Sequence, residues 1–541
     1  MKLLLLGDEA IALAAIHSGI SGVYAYPGTP STEITEYIQN RQKADPATDR
    51  IFCKWCTNEK TAMEAALGMS YMGKRALVCM KHVGMNVAAD AFVNSAMTGA
   101  NGGLVVVAAD DPSMHSSQNE QDSRFYGRFA MIPYFEPSCQ QEAYDMVRDA
   151  FDYSEKMRIP VLMRITTRMA HSRAEVSTWT LKDGSEDVRP QNRIHFPDNP
   201  KQWILLPANS RVRNEQLIKD KKQFGLDSAE DARNSFTPGE DKGLAVVACG
   251  IAYNYLLENF PKGVPCGVLK LTRYPIPRKL VNDMVASGVH RVIVMEEGQP
   301  FVEDKIRGMI GSEIQVEGRL TGLLPRTGEL TPDSVRAALH LSPHKTFPKD
   351  DIVVPRPPAL CQGCGHRDMY AALNEVAAEY DNSRVFSDIG CYTLGALPPF
   401  RAIHTCVDMG ASITMAKGAA DAGQFPSFAV IGDSTFTHSG ITGLLDCVNS
   451  NANVVVVISD NLTTGMTGGQ DSAGTGKLES ICAGVGVDPA HIRVVVPLAK
   501  NMEEIKNVIR EEVEYKGVSV VIPRRECIQT FKRHAREKKQ Q

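Results

Sequence analysis

The sequence has no apolar run approaching the ~18 residues that a membrane-crossing helix needs. It has no surplus of positive charge either, with 59 Lys and Arg against 63 Asp and Glu and a formal net charge of −4. No membrane and no nucleic acid is therefore expected as a partner. An export signal is missing too. The opening MKLLLL is stopped by Gly7, Asp8 and Glu9, too soon for the apolar part of a leader, and reads instead as a first strand. Repeats of solenoid period are absent. Without an export signal, the 13 cysteines point to a reducing compartment, the cytoplasm, where they serve as core thiols or ligands rather than disulfides.

What remains is the pattern of an α/β protein. At 541 residues the chain has room for about three or four domains. Residues 1–175 alternate strand-like runs (3–6, 23–26, 76–80, 104–108, 161–165) with helical segments. Residues 176–242 turn polar and read as a wrapping linker with surface helices around 214–228. A smaller α/β unit follows over 243–348, with strands at 244–248, 268–271 and 291–295. The joint at Pro355, Pro357 and Pro358 leads into a third domain over 349–541. The expected fold is α/β, with doubly wound parallel sheets in three domains.

The third domain carries the most specific chemistry. Two apolar runs, 428–431 and 454–458, read as buried parallel strands joined by a crossover helix over about 439–450. The first breaks at Gly432-Asp433-Ser434, the second at Asp460-Asn461. Asp433 offers a carboxylate, Asn461 an amide oxygen and Thr463 a hydroxyl or carbonyl, a set of hard donors suited to Mg²⁺. Gly432 would let backbone approach a diphosphate. Gly-Asp-Ser followed at this spacing by Asn-x-Thr resembles the magnesium-diphosphate motif of thiamine diphosphate enzymes. A bare Gly-Asp after a strand is common, so the pairing carries the weight.

Thiamine chemistry also needs a buried glutamate that shares a proton with the cofactor's pyrimidine ring. Glu59, opening an Ala- and Met-rich helix, is the candidate; by position alone it would be a first-turn glutamate favoured by the helix dipole. Two loops at strand ends accompany it. One is Tyr26-Pro27-Gly28-Thr29-Pro30-Ser31-Thr32-Glu33, where Ser31 with Glu33 or Glu36 could simply cap a helix. The other is Met80-Lys81-His82-Val83-Gly84-Met85-Asn86, which brings a cation, an imidazole and an amide together, though its histidine alone is more often structural. Cys361, Cys364, Cys391 and Cys527 make four thiols, the number that holds a [4Fe-4S] cluster or zinc, with core thiols as the plain alternative. Cys53 and Cys56, three apart on an expected strand, would face opposite ways and are read as core thiols.

Taken together, YPGTPSTE, the NEK before a helix, KHVGMNVAAD, CQGCGHR, SDIGCYTLG, GDSTFTHSG and DNLTTGMTGGQ resemble the 2-oxoacid:ferredoxin oxidoreductases, and among them the alpha subunits of the indolepyruvate type. The resemblance spans nearly the whole chain. It implies that Cys361, Cys364, Cys391 and Cys527 hold a proximal [4Fe-4S] cluster, that Glu59 activates the pyrimidine, and that Thr29 and His82 lie near the reacting carbon. Gly28, Glu59, Gly432, Asp433, Ser434, Asn461, Thr463, Gly465 and Met466 would line the thiamine diphosphate, with Mg²⁺ on Asp433, Asn461 and Thr463. The implied reaction is oxidative decarboxylation of a 2-oxoacid, an arylpyruvate such as indolepyruvate, with coenzyme A as co-substrate. Subunits of this type usually end in a ferredoxin-like domain, whereas this sequence ends in a charged tail after Phe531. The expectation is a hetero-oligomer in which electrons leave through a smaller beta-type subunit and then ferredoxin or another carrier. A non-oxidative decarboxylase or synthase, which needs no cluster, and a non-catalytic assembly subunit are the rival readings.

Overall fold

Strands buried on both faces must be apolar throughout, and the longest such runs in the sequence are the central strands of three sheets in the computed structural model. The structure describes every residue except Pro46, Ala47, Asp49, Asp198, Lys349 and Gln541, with the backbone alone for Pro200 and residues 538–540. The chain divides into two compact units, Met1–Phe347 and Pro348–Gln541. Among the described residues no helix is long and apolar enough to cross a membrane.

The first unit holds a seven-stranded sheet in the order Arg273–Tyr274, Tyr134–Phe135, Val161–Thr166, Leu104–Asp110, Ala76–Lys81, Gly22–Ala25, Phe52–Trp55. All neighbours are parallel except the pair at the Arg273–Tyr274 edge. A five-stranded sheet centred on Asp241–Cys249 belongs to the same unit. The polar stretch between them folds against this unit as a 24-residue helix, Pro207–Glu230, which buries Leu217 and Phe224. The first expected strand forms. Lys2–Leu6 is extended but pairs antiparallel with Arg173–Ser177, outside the main sheet. Its leucines alternate between exposed and buried, with Leu4 65% exposed, which a central parallel strand cannot do.

The second unit is a six-stranded, wholly parallel sheet ordered Thr405–Cys406, Arg384–Ser387, Ser427–Gly432, Val454–Ser459, Val518–Pro523, Ile492–Val495. The chain order reverses between Arg384–Ser387 and Ser427–Gly432, the place where open α/β sheets put their ligands. The loops leaving those two strands carry Cys391 and Asp433. In the seven-stranded sheet the reversal lies between Gly22–Ala25 and Ala76–Lys81, and the loops leaving these carry Thr29 and His82.

Candidate active site

In the first unit, Glu59 stands at the first position of the helix Glu59–Tyr71, whose preceding Asn58 caps it by accepting from the Thr61 N–H at 2.9 Å. Position alone made Glu59 an ordinary first-turn residue; the structure buries it. Its carboxylate lies against Gly84, where an added Cβ would come within 2.7 Å of Oε1, so only glycine leaves this glutamate its place. His82 begins the helix His82–Thr98 and is fully buried, with Nε2 3.2 Å from the Asn119 carbonyl and Nδ1 without a partner. Burial lowers its pKa, opposed by Asp110, so the ring is held neutral.

Ser116 joins the two loops. Its hydroxyl donates to the Thr29 carbonyl at 3.2 Å, and its own carbonyl accepts from Lys81 Nζ at 3.0 Å. The Lys81 stem packs over Gly28, whose missing Cβ would meet Lys81 Cδ at 3.2 Å. Burial also lowers the pKa of Lys81. Ser31 precedes the helix Thr32–Ala44 as expected, yet its hydroxyl does not cap that helix; it donates back to the Gly28 carbonyl at 2.8 Å and tightens the loop. Lys81 and Ser116 were not singled out from the sequence as site residues. A lone serine in a polar loop gives no signal, but a lysine directly before a candidate histidine does.

In the second unit, helix begins at Asp433 itself, through a short turn Asp433–Thr435 and a wide π-type turn Phe436–Gly440, several residues before the expected 439–450. Asp-Ser-Thr read as loop because these residues favour caps and turns. Asp433 is 2% exposed, its Oδ2 has no partner, and burial pushes its pKa up to about 7, with the Ser472 hydroxyl pulling the other way. From the neighbouring strand, Asn461 Oδ1 accepts from the Thr463 N–H at 3.1 Å, and the Thr463 hydroxyl donates to the Gln470 carbonyl at 2.8 Å. Ser434 Oγ and Thr464 Oγ1 meet at 2.9 Å and tie the two strand ends together. Met466 is exposed. Gly432 has a different reason than expected. A Cβ there would strike the Tyr392 ring at 2.6 Å, so the glycine makes room for Tyr392. Tyr392 in turn donates to the buried Asp388, which also accepts from Ser412 Oγ at 2.6 Å.

The four cysteines come together. Cys361, Cys364, Cys391 and Cys527 line one cavity of about 80 Å³, along with Asn461 and Gly465. Cys364 is the cap residue of the helix Gly365–Ala377, whose amino end favours thiolate. The Cys527 N–H donates to the Asn461 carbonyl at 3.0 Å, fastening this thiol to the loop that carries the candidate magnesium donors. Burial first, and then the other three thiols, raise the Cys391 pKa to about 12. Four thiols around one cavity are the donor number of an iron–sulfur cluster or of a zinc ion. Asp433 with its orphaned oxygen suits a hard cation. Cys53, by contrast, is buried in the core with its thiol 3.7 Å from the Thr35 carbonyl, and Cys56 lies beyond the end of the strand Phe52–Trp55.

Two family models match this chain. Residues 13–223 match "Pyruvate flavodoxin/ferredoxin oxidoreductase, thiamine diP-bdg", and residues 388–522 match "Thiamine pyrophosphate enzyme, C-terminal TPP binding domain". The indolepyruvate oxidoreductase subunit IorA of Archaeoglobus fulgidus is 38% identical, over 97% of this chain and 86% of that one. The subunit of the same name from Methanothermobacter thermautotrophicus is 38% identical over 97% of this chain and 87% of its own, and that of Pyrococcus abyssi 37% over 97% and 86%. With both thiamine-binding regions matched and similarity along nearly its full length, the chain belongs to the family of the indolepyruvate oxidoreductase subunit IorA, thiamine diphosphate-dependent 2-oxoacid oxidoreductases.

Proposed function

We propose that this subunit oxidatively decarboxylates an arylpyruvate to its acyl-coenzyme A and passes the electrons through a [4Fe-4S] cluster on Cys361, Cys364, Cys391 and Cys527. The observation that carries this reading is the gathering of those four thiols, distant in sequence, around one cavity that Asn461 also lines. Bound thiamine diphosphate supplies the electron sink that lets a 2-oxoacid lose CO₂. The chain's own residues do the rest. In the second unit, Asp433, Asn461 and Thr463 hold Mg²⁺ for the diphosphate, beside Ser434, Gly465 and Met466. In the first unit, Glu59 shares a proton with the pyrimidine ring nitrogen. His82, neutral and with Nδ1 free of a protein partner, orients the substrate near Gly28 and Thr29.

The electrons leave one at a time, to a smaller beta-type subunit and then to ferredoxin or another carrier, in the cytoplasm. The test is iron and acid-labile sulfide, with the visible spectrum, on protein purified without oxygen. About four irons per chain are expected, with arylpyruvates reducing the cluster in the presence of coenzyme A. Iron-free protein that still releases CO₂ and an aldehyde would replace this reading with a non-oxidative decarboxylase.

A further inference from the structure

The first unit holds a second gathering of ligating side chains, which the reaction above does not use. Asp8 lies in the first turn of the helix Gly7–His17, Glu33 in the first turn of Thr32–Ala44, and His171 at the end of Thr167–His171. One ligand atom from each falls within 4.8 Å of the other two, and His171 Nε2 is 3.4 Å from Glu33 Oε2. Asp8 is wholly buried, and neither of its carboxylate oxygens has a hydrogen-bond partner.

A buried carboxylate with no donor is costly unless it takes up a proton or meets a cation. Two acids add to that cost, Glu33 on the neighbouring helix and Glu9 beside Asp8 on its own helix. Access comes through His171, which lines an open cavity of about 240 Å³ together with His115, Arg168 and Glu329. We infer that Asp8, Glu33 and His171 bind one divalent transition-metal ion, with water from this cavity completing its shell. Two carboxylates and one imidazole suit Mn²⁺, Fe²⁺ or Zn²⁺ better than Mg²⁺, which prefers oxygen alone. The ion ties the start of Thr32–Ala44, directly after the loop bearing Gly28 and Thr29, to two other elements and so fixes that loop. This role is independent of the cluster and of the substrate.

The test uses the full chain saturated with Mg²⁺ and thiamine diphosphate. Mn²⁺, which has little affinity for thiolates, is titrated in, and the unbound ion is followed by electron paramagnetic resonance. Exchange at the diphosphate occurs alike in every variant and cancels. Wild type is expected to bind one more Mn²⁺ than D8N, E33Q or H171Q, and Mn²⁺ is expected to raise the melting temperature of wild type only. H171Q changes a partly exposed ring and keeps the test open if D8N does not fold. Equal Mn²⁺ counts and equal thermal shifts in wild type and H171Q would overturn the site and leave Asp8 a protonated structural carboxyl.

Discussion

The buried charges of the two units are handled in different ways. At the centre of the first unit, five acids are shared among three arginines: Arg124 pairs with Asp122 and, at 2.7 Å, with Glu296; Arg164 pairs with Asp110 at 2.6 Å and with Glu136; Arg319 pairs with Glu297 at 3.4 Å. Arg124, Arg164 and Arg319 are among the largest fully buried side chains described. Burial raises acid pKa values in both units, but around the sheet reversal of the second unit the groups that ease it are hydroxyls, Ser472 for Asp433 and Ser412 and Tyr392 for Asp388, where the first unit uses arginines; the thiols of Cys364 and Cys391 lie half-buried beside them. Arginine-paired acids serve to hold structure, whereas Asp433 and the thiols suit the magnesium and the cluster proposed for them above, and Asp8, with acidic neighbours, is the first unit's exception.

The largest effect expected from breaking this contrast is in the second unit. Cys391→Ser should abolish iron binding and reduction of any one-electron acceptor, read by iron analysis and by dye reduction, while the first unit's melting is unchanged. Glu59→Gln should leave cofactor binding intact and lower kcat by about 10²–10⁴-fold, as loss of a proton-sharing group does; an unchanged kcat would make Glu59 a helix-dipole residue after all. In the arginine-paired centre the loss should be of stability instead. Arg164→Met leaves Asp110 and Glu136 uncompensated and should cost about 3–5 kcal/mol in denaturant unfolding.

The next effect depends on pH. Burial raises the Asp388 pKa to about 7, so the folded state keeps a proton that the unfolded chain has lost. The contribution of Asp388 to the second unit's stability should therefore fall as pH rises from about 4 to about 7, by about 4 kcal/mol, and level off above that. Asp388→Asn should remove this share and leave that of Asp433, whose pKa burial also pushes up to about 7, and urea midpoints at the two ends of this window would show the shallower fall. The smallest change is at the surface, where Arg533 donates to the Gly468 and Gly469 carbonyls at 2.7 and 3.0 Å. Arg533→Ala should cost about 1 kcal/mol and loosen the loop beside Met466, seen as faster amide exchange there.

The sequence disclosed the sheets better than their edges. Val454–Ser459 and Leu104–Asp110 are apolar up to their last residue because both faces are covered. Lys2–Leu6 is as apolar after its first residue, and composition cannot tell that one of its faces is wet. Two-residue strands such as Tyr134–Phe135 carry no period to read. At the candidate site, Asp433 could be singled out because it directly follows a buried strand, and Cys364 because it stands at the start of a helix. Three things could not. Tyr392, the reason for Gly432, is an aromatic packed from another strand end. Ser116 acts through its backbone as much as its side chain. Asp8, Glu33 and His171 stand far apart in the chain, and only the fold brings them within one ion's reach.

The hydrogen bond from the Cys527 N–H to the Asn461 carbonyl has a consequence for descent. The same asparagine serves the cofactor loop with its side chain and steadies a thiol with its main chain. A lineage that discarded the four cysteines would free the exit of its last strand to drift, and with it the geometry at Asn461. The thiols and the diphosphate loop are therefore expected to be inherited or lost together, even in descendants that change the oxoacid they consume.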